Sequence, residues 1–191
     1  MSRDIEELSV EEIEKRIAEQ LEKEQEHKNC LDTIINCIPL LLSKRRERYL
    51  TYICQDETSI YFELKKLYPD LIDLNIHNKY SPIDLRSILE KCGIETKGRK
   101  KDYDTFLVEK KKWDDMIISP DKDVFYVCAT PERVVMFNVR ELPEPIWGVE
   151  QHNKTTTYDN KEKIDKMVGY YNPETQPYID LTEELFKINK I

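Results

Sequence analysis

Glycine is scarce in this sequence, with only four residues among 191. Nucleotide-binding folds with a glycine-rich phosphate loop need several glycines at a fixed spacing, and no such spacing occurs here. Long apolar runs are also missing, and the longest, Ile38–Leu42, is far too short to cross a membrane as a helix. Both absences argue against glycine-loop nucleotide-binding proteins and against an integral membrane protein.

Cysteine is present but shows no pattern. The five cysteines form neither a CxxC pair nor a cysteine–histidine spacing typical of zinc sites. Reduced and mostly buried thiols of an intracellular protein are the simplest interpretation. The acidic start of the chain also lacks the basic and then apolar pattern of a signal peptide. We therefore expect a soluble intracellular protein, cytoplasmic or nuclear. The many isoleucines, lysines, asparagines and tyrosines are typical of an AT-rich genome such as that of a virus or phage.

Negative charge is concentrated at the beginning of the chain. The formal net charge is −8, and residues 1–28 carry ten acidic against five basic side chains. The sign reverses between Lys97 and Lys112, where there are seven basic and three acidic side chains. Nucleic acid binding requires such a basic footprint to displace condensed counterions. A solvated loop and helix face is the alternative interpretation of the same residues, which are Arg99, Lys100, Lys101, Lys110, Lys111 and Lys112.

The first residues predict a helical extension. Ser9–Glu12 has the form of a capping box, and apolar residues then recur at helical spacing for about five turns. Cys30–Leu42 predicts a second helical segment, which Pro39 kinks or ends. We assign residues 1–55 to this extension. Its apolar seam predicts a contact with another copy of the chain or with a partner protein.

Residues 56–191 predict a single domain in which helices flank a sheet. The predicted elements are a helix at Thr58–Leu67, strands at Ile83–Leu89, Gly93–Gly98 and Tyr103–Val108, a helix at Glu109–Ile117, a hairpin of Val124–Thr130 and Arg133–Val139, and a last helix after Asp180–Glu183. This order indicates an α/β (α+β) layered domain.

Asp84, Glu95 and Lys97 are the strongest candidates for a functional site. In a strand, residues two apart project to the same face, so Glu95 and Lys97 would lie side by side. If the two strands pair as a hairpin, Asp84 joins them. Two carboxylates and an ammonium at one place suit the binding of a divalent metal and the activation of a water molecule.

The acid-x-Lys pattern by itself is weak, because a charged sequence produces it often. It also occurs at Glu26, Glu63, Glu109 and Asp159. The first three fall in helical patterns, where residues two apart do not share a face, and the fourth lies in a polar irregular stretch. Only Glu95 falls on a predicted strand that follows another strand with an acid.

The segments Pro82–Asp84 and Ile94–Lys97 resemble the core of the PD-(D/E)xK nuclease superfamily, which has the restriction-endonuclease-like fold. Its signature is a strand with an Asp, a hairpin turn, and a strand with Asp/Glu-x-Lys. The order of the flanking elements is also similar: an upstream helix with an acid, Glu63, then after the motif a third strand, a helix and a hydrophobic hairpin. The resemblance covers residues 56–191 and is closest to small viral, phage and restriction-type nucleases.

The resemblance implies a role for each residue of the motif. Asp84, Glu95 and the carbonyl of Thr96 would bind Mg²⁺ or Mn²⁺, and Glu63 would add to the metal site. Lys97 would orient or help to deprotonate the attacking water. Asp84, Glu95, Lys97 and Glu63 are thus the expected catalytic residues, although an exposed helix acid is an equal interpretation of Glu63.

The resemblance also implies that a lysine of the helix after the third strand lies near the scissile phosphate, and Lys110, Lys111 and Lys112 are the candidates. His152 and Lys154 are weaker candidates for phosphate contacts. The expected function is that of a metal-dependent nuclease acting on phosphodiester bonds, with DNA as the expected substrate. The alternative is a catalytically inactive protein of the same fold that serves as a nucleic-acid-binding or assembly module.

Overall fold

The computed structural model describes residues 9–76, 81–154 and 162–191. The chain divides into two compact units between Arg45 and Arg46. The helices are α1 (Val10–Ile53), α2 (Glu57–Leu67), α3 (Lys110–Ile118) and α4 (Thr182–Ile188). The strands are β1 (Ile72–Asp73), β2 (Leu85–Ser87), β3 (Cys92–Gly98), β4 (Phe106–Glu109), β5 (Asp123–Ala129), β6 (Val134–Asn138), β7 (Gly148–Asn153), β8 (Lys163–Tyr171) and β9 (Ile179–Asp180).

Helix α1 is longer than the sequence predicts. The capping box is confirmed, because the Ser9 amide donates to the Glu12 carboxylate and the Glu12 amide donates to the Ser9 hydroxyl. The expected second helix at Cys30–Leu42 is instead part of α1, and Pro39 lies inside that helix rather than ending it. The second unit begins at Arg46, so it includes the last two turns of α1, which the sequence assigned to the extension.

The second unit is a mixed α/β structure. A six-stranded sheet has the order β1-β2-β3-β5-β6-β9, and its central pair, β3 and β5, is parallel while the other pairs are antiparallel. The connection between β3 and β5 contains β4 and α3, as a parallel pair requires a crossover. Strands β4, β8 and β7 form a separate antiparallel sheet. The predicted fold class, a mixed sheet flanked by helices, is confirmed at this level.

Hydrophobic cores cover both faces of the large sheet. On one face, Ile60 and Leu64 of α2 pack with Ile94, the end of α1 and α4. On the other face, Met116 of α3 and Phe106 of β4 pack with Tyr126. Because side chains alternate along a strand, Ile94 and Glu95 belong to opposite faces of β3. Glu95 therefore lies on the face covered by α3 and the small sheet.

Strand β8 is the main element that the sequence analysis missed. The sequence analysis predicts only a polar irregular stretch around Asp159 and no strand after it, but Lys163–Tyr171 pairs with β4 and with β7. The first half of β8 is mostly exposed on both faces. Its sequence therefore lacks the alternation of apolar and polar residues by which a half-buried strand is recognised. The predicted polar stretch itself, residues 155–161, lies outside the described residues.

Candidate functional site

Asp84 and Glu95 come together through the pairing of β2 with β3. Leu85 lies opposite Ile94 in this antiparallel pair, and this is the last paired position of β2 on the Asp84 side. The Asp84 amide donates to the carbonyl of the same Ile94 over 3.1 Å, so the ladder slips by one residue here. The Asp84 carboxylate accepts from Thr96, the residue after Glu95, and its charge acts on Glu95. The two carboxylates that the sequence analysis singled out therefore lie close together.

The Asp84 carboxylate is held in one orientation by Thr96. Its Oδ2 accepts from the Thr96 amide over 2.8 Å and from the Thr96 hydroxyl over 2.9 Å. Its Oδ1 accepts from the Asn75 side chain over 2.9 Å. Asp84 is 9% exposed and Thr96 is 1% exposed, so these bonds replace water almost entirely. Thr96 thus has a role at the site that the sequence did not suggest: its hydroxyl and amide fix Asp84.

Glu95 is a buried carboxylate with both acidic and basic side chains near it. Lys112 Nζ lies 2.9 Å from Oε1 and 3.1 Å from Oε2. Burial and the nearby charge of Asp84 raise the pKa of Glu95 to about 8, although Lys112 and Lys97 act in the opposite direction. Burial tends to lower the pKa of Lys112, but the charge and hydrogen bond of Glu95 outweigh it and raise that pKa. Of the three lysines at the start of α3, Lys112 is therefore the one at the site.

Lys97 reaches the beginning of α2. Its Nζ lies 2.9 Å from Oε1 of Glu57, the first residue of that helix. Asp56 caps the same helix by accepting from the Ser59 amide over 2.7 Å, which fixes where α2 begins. Glu57 was missed in the sequence analysis. No spacing relates it to Lys97, because forty residues separate them and the contact depends on how α2 packs on β3.

The close approach of β3 to the turn after α1 depends on Gly98. A Cβ atom at this position would lie 2.5 Å from the Cys54 carbonyl oxygen, which is backbone and cannot move aside. Only glycine therefore lets the end of β3 lie against this turn, immediately before Asp56 and Glu57.

Glu63 belongs to a different cluster. It is 6% exposed, and its carboxylate accepts from the Tyr49 hydroxyl over 2.7 Å, from Lys66 over 2.7 Å and from the Asn189 amide over 2.9 Å. These partners join α1, α2 and α4, and none of them is a member of the Asp84, Glu95 and Lys97 group. Both oxygens are already paired, so the expected exposed or metal-binding Glu63 is instead a buried residue that ties three helices together.

A cavity of about 510 Å³ opens beside Glu95, Lys97 and Lys112. Its wall includes residues of β3, of α3 and of the small sheet. The remaining lining residues are Arg99, Tyr103, Thr105, Leu107, Val108, Glu109, Tyr126, His152, Asn153, Lys166 and Tyr170. The small sheet thus supplies a wall that the sequence analysis could not anticipate, because β8 was not recognised.

Arg99 stands out among the basic residues of the cavity. Its guanidinium donates to the Leu107 carbonyl over 2.7 Å and to the Tyr126 hydroxyl over 3.3 Å. In the described ranges no carboxylate pairs with it, although an arginine is always charged. A cation that faces a cavity without an acidic partner is suited to an anionic ligand.

Most of the other residues predicted to contact nucleic acid form ion pairs or lie away from the cavity. Lys110 pairs with Asp114 and lies near Glu144, Lys154 pairs with Glu162 over 3.0 Å, and His152 lies 3.2 Å from Glu150. Lys100, Lys101 and Lys111 are exposed side chains that do not line the cavity. Only Arg99, Lys112 and His152 of the eight predicted nucleic-acid contacts therefore reach the cavity that adjoins Glu95.

Within residues 9–76, 81–154 and 162–191, no three His, Cys, Asp or Glu side chains are close enough to form a metal site by themselves. No helix in those ranges is both long and apolar enough to span a membrane. Comparison of the chain with protein-family models, curated proteins and solved structures found no match. The geometry of the site is therefore the basis for any assignment of function.

Proposed function

We propose that this protein is a metal-dependent nuclease of the PD-(D/E)xK type that hydrolyses phosphodiester bonds, with DNA as its substrate. The observation that carries the proposal is the contact of Asp84 with β3, where its carboxylate accepts from Thr96 beside Glu95, with Lys97 two residues beyond Glu95 on the same strand. The cavity at this position has four other basic side chains in its wall, namely Arg99, Lys112, His152 and Lys166. Arg99 and Lys112 of the basic stretch therefore line the same cavity as Glu95 and Lys97.

The order of elements supports the proposed fold. Helix α2, strand β2 with Asp84, strand β3 with Glu95 and Lys97, strand β4, helix α3 and the β5–β6 hairpin follow one another as in the family that the motif resembles. Two points differ from the sequence expectation. Strand β2 is only three residues long, and Asp84 lies immediately before it.

The residues of the site fit a divalent cation. Burial first, and then repulsion from the Asp84 carboxylate, raise the pKa of Glu95, and a bound cation would lower it. Asp84 and Glu95 would hold Mg²⁺ or Mn²⁺, with the Thr96 carbonyl as a further oxygen ligand. When bound, the ion would supply a more acidic water and neutralise charge on the phosphate. Glu63 is left out of this set because its oxygens are already paired.

The basic side chains of the site have different roles in the proposed reaction. Lys97 would orient the attacking water and offset the negative charge that develops on the phosphate. Glu57 holds the Lys97 ammonium in place in the absence of substrate. Lys112 at α3 and Arg99 at the end of β3 would contact phosphate oxygens in the cavity.

The test is a cleavage assay with the purified protein. Circular, linear and single-stranded DNA and RNA are incubated with Mg²⁺ or Mn²⁺, and we expect metal-dependent degradation of DNA. Asp84→Asn and Lys97→Ala should abolish cleavage while the circular dichroism spectrum and melting temperature stay close to those of the wild type. Lys101→Ala, at an exposed lysine outside the cavity, is the matched control and should retain activity. Absence of cleavage of every substrate with either metal would refute the proposed enzyme.

The second candidate function is a non-catalytic nucleic-acid-binding or assembly module. The ion pairs Lys97–Glu57 and Lys112–Glu95 favour it, because both lysines already have acidic partners. Calorimetric titration with Mn²⁺ separates the two functions. Binding that is lost in Glu95→Ala supports the nuclease, whereas DNA binding without any Mn²⁺ binding supports the module.

A further inference from the structure

The unbroken helix α1 joins two apolar segments into one heptad register. Residues at the a and d positions from Val10 onward are Val10, Ile13, Ile17, Gln20, Glu24, His27, Leu31, Ile34, Ile38 and Leu41. Seven of these ten are apolar. An apolar spacing that alternates three and four residues over more than four heptads is the pattern of a coiled coil. Pro39 falls at position b, outside this seam.

The apolar side chains of the seam are open to solvent. Their exposed fractions run from 36% at Ile13 to 72% at Val10. Two exposed apolar segments on one helix face, separated by the polar positions Gln20, Glu24 and His27, are unusual on a surface without a binding partner. A long helix also gains most of its stability from packing of its apolar face rather than from propensity. The seam therefore fits another helix of matching length and spacing.

The polar positions of the seam select both the partner and its direction. In a parallel pair of two copies in register, Glu24 would face Glu24, which is unfavourable in a seam. In an antiparallel pair, an a position of one helix faces a d position of the other. We align the two copies so that two facing residues, one from each copy, form one layer and have residue numbers that sum to 51. Glu24 then faces His27 of the other copy, a complementary pair. The remaining layers are Val10 with Leu41, Ile13 with Ile38, Ile17 with Ile34, and Gln20 with Leu31.

The charges along the helix agree with the antiparallel direction. Residues 10–28 carry seven acidic and four basic side chains, whereas residues 29–41, the rest of the paired segment, carry one acidic and no basic ones. An antiparallel pair brings the acidic segment of each copy beside the nearly uncharged segment of the other. A parallel pair would bring the two acidic segments together, at a cost in electrostatic repulsion.

We propose that residues 10–41 of α1 pair with the same segment of a second copy of this chain as an antiparallel two-stranded coiled coil. Glu24 and His27 form the two central polar layers, and three apolar layers and one mixed layer lie on each side. The seam is about 47 Å long at a rise of 1.5 Å per residue. The polar centre favours this register, because a shift by one heptad sets Glu24 against Ile34 and His27 against Leu31 in one direction, and His27 against Ile17 in the other.

Light scattering on the full chain tests the dimer. The chain has a mass of 22.9 kDa, so we expect twice that mass. Ile17→Asp/Ile34→Asp places two carboxylates in one apolar layer and should reduce the mass to that of the monomer. Ala18→Asp/Asn36→Asp adds the same charge at outward positions and should remain a dimer. A wild type that is monomeric at all concentrations, or a control that dissociates equally, overturns the proposal.

The direction is tested by pulsed electron paramagnetic resonance. A spin label is attached to Lys15→Cys in a chain in which the exposed Cys30 and Cys37 are replaced by serine. Residue 15 lies opposite residue 36 in the antiparallel layer scheme, so the two labels are separated by about 32 Å along the axis. A parallel dimer in register would place the two labels at the same height on the axis, so their distance would be clearly shorter. A short distance alone, or a mass above that of a dimer, overturns the antiparallel pair.

Discussion

Glu95 is the residue at which protonation and folding are most strongly linked. Its folded-state pKa of about 8 lies above its ordinary value of 4.5. The stabilising contribution of the protonated side chain is therefore complete below about pH 4.5 and is lost as the pH rises through 8.

Glu95→Gln, which keeps the neutral shape, should remove this dependence. In metal-free buffer we expect the free energy of unfolding of the wild type to fall relative to that of the variant between about pH 5 and 8. The slope should approach, but not exceed, about 1.4 kcal/mol per pH unit. Urea denaturation at a series of pH values measures the difference. Parallel curves for the two proteins would show that Glu95 does not titrate in this range.

Arg99 is the residue whose charge we expect to matter most for nucleic acid affinity. Arg99→Gln retains hydrogen-bonding capacity but removes the charge that faces the cavity. In an Asp84→Asn background, which prevents cleavage, this change should weaken DNA binding roughly tenfold and reduce the salt slope by about one. Fluorescence anisotropy at several salt concentrations measures both quantities. Lys101→Ala should change affinity less, and an equal loss in the two variants would assign the effect to overall charge.

At the scale of elements, the contact between β3 and the turn after α1 sets the geometry around Lys97. Gly98→Ala should destabilise the fold by roughly 1–3 kcal/mol, since the new methyl group meets the Cys54 carbonyl. Gly148→Ala is the matched control, because no atom lies within 4 Å of its added Cβ. Thermal unfolding of the two variants compares them. A neutral Gly98→Ala would mean that the turn and the strand can separate without loss.

The elements also show what the sequence could and could not predict. The β2–β3 hairpin was predictable, because period-two alternation and a short turn are local signals. The ion pair of Lys97 with Glu57 was not, because it arises from packing between elements that are distant in sequence. Strand β8 was missed because its amino-terminal half is exposed and polar. The burial of Glu63 was also missed, because its partners Tyr49 and Asn189 come from other helices.

At the scale of the whole molecule, the two units differ in how much of their surface is buried. The described residues 9–45 are exposed, and the buried cores begin at Leu50. Deletion of residues 1–42 leaves Ser43, a favourable residue for capping a helix, at the new beginning of α1.

We expect this deletion to leave the melting temperature of the second unit within a few degrees of the wild-type value, because the buried core residues begin at Leu50, beyond the deletion. Differential scanning calorimetry at low protein concentration measures it. The same truncated protein should be monomeric and should keep the activity of the site. A large loss of stability would show that the first unit supports the second one directly.

Strand β3 lies between a neighbour that is close in sequence, β2, and a neighbour that is reached only through a crossover, β5. Contacts between residues near in sequence close with little loss of chain entropy, whereas a parallel pair forms slowly. We therefore expect the Asp84–Glu95 contact to appear early in folding, before Lys112 and Tyr126 close around it. During that interval the two carboxylates would face water, which screens the repulsion between them. The repulsion would therefore destabilise the protein only in the last stage of folding, when the carboxylates become buried.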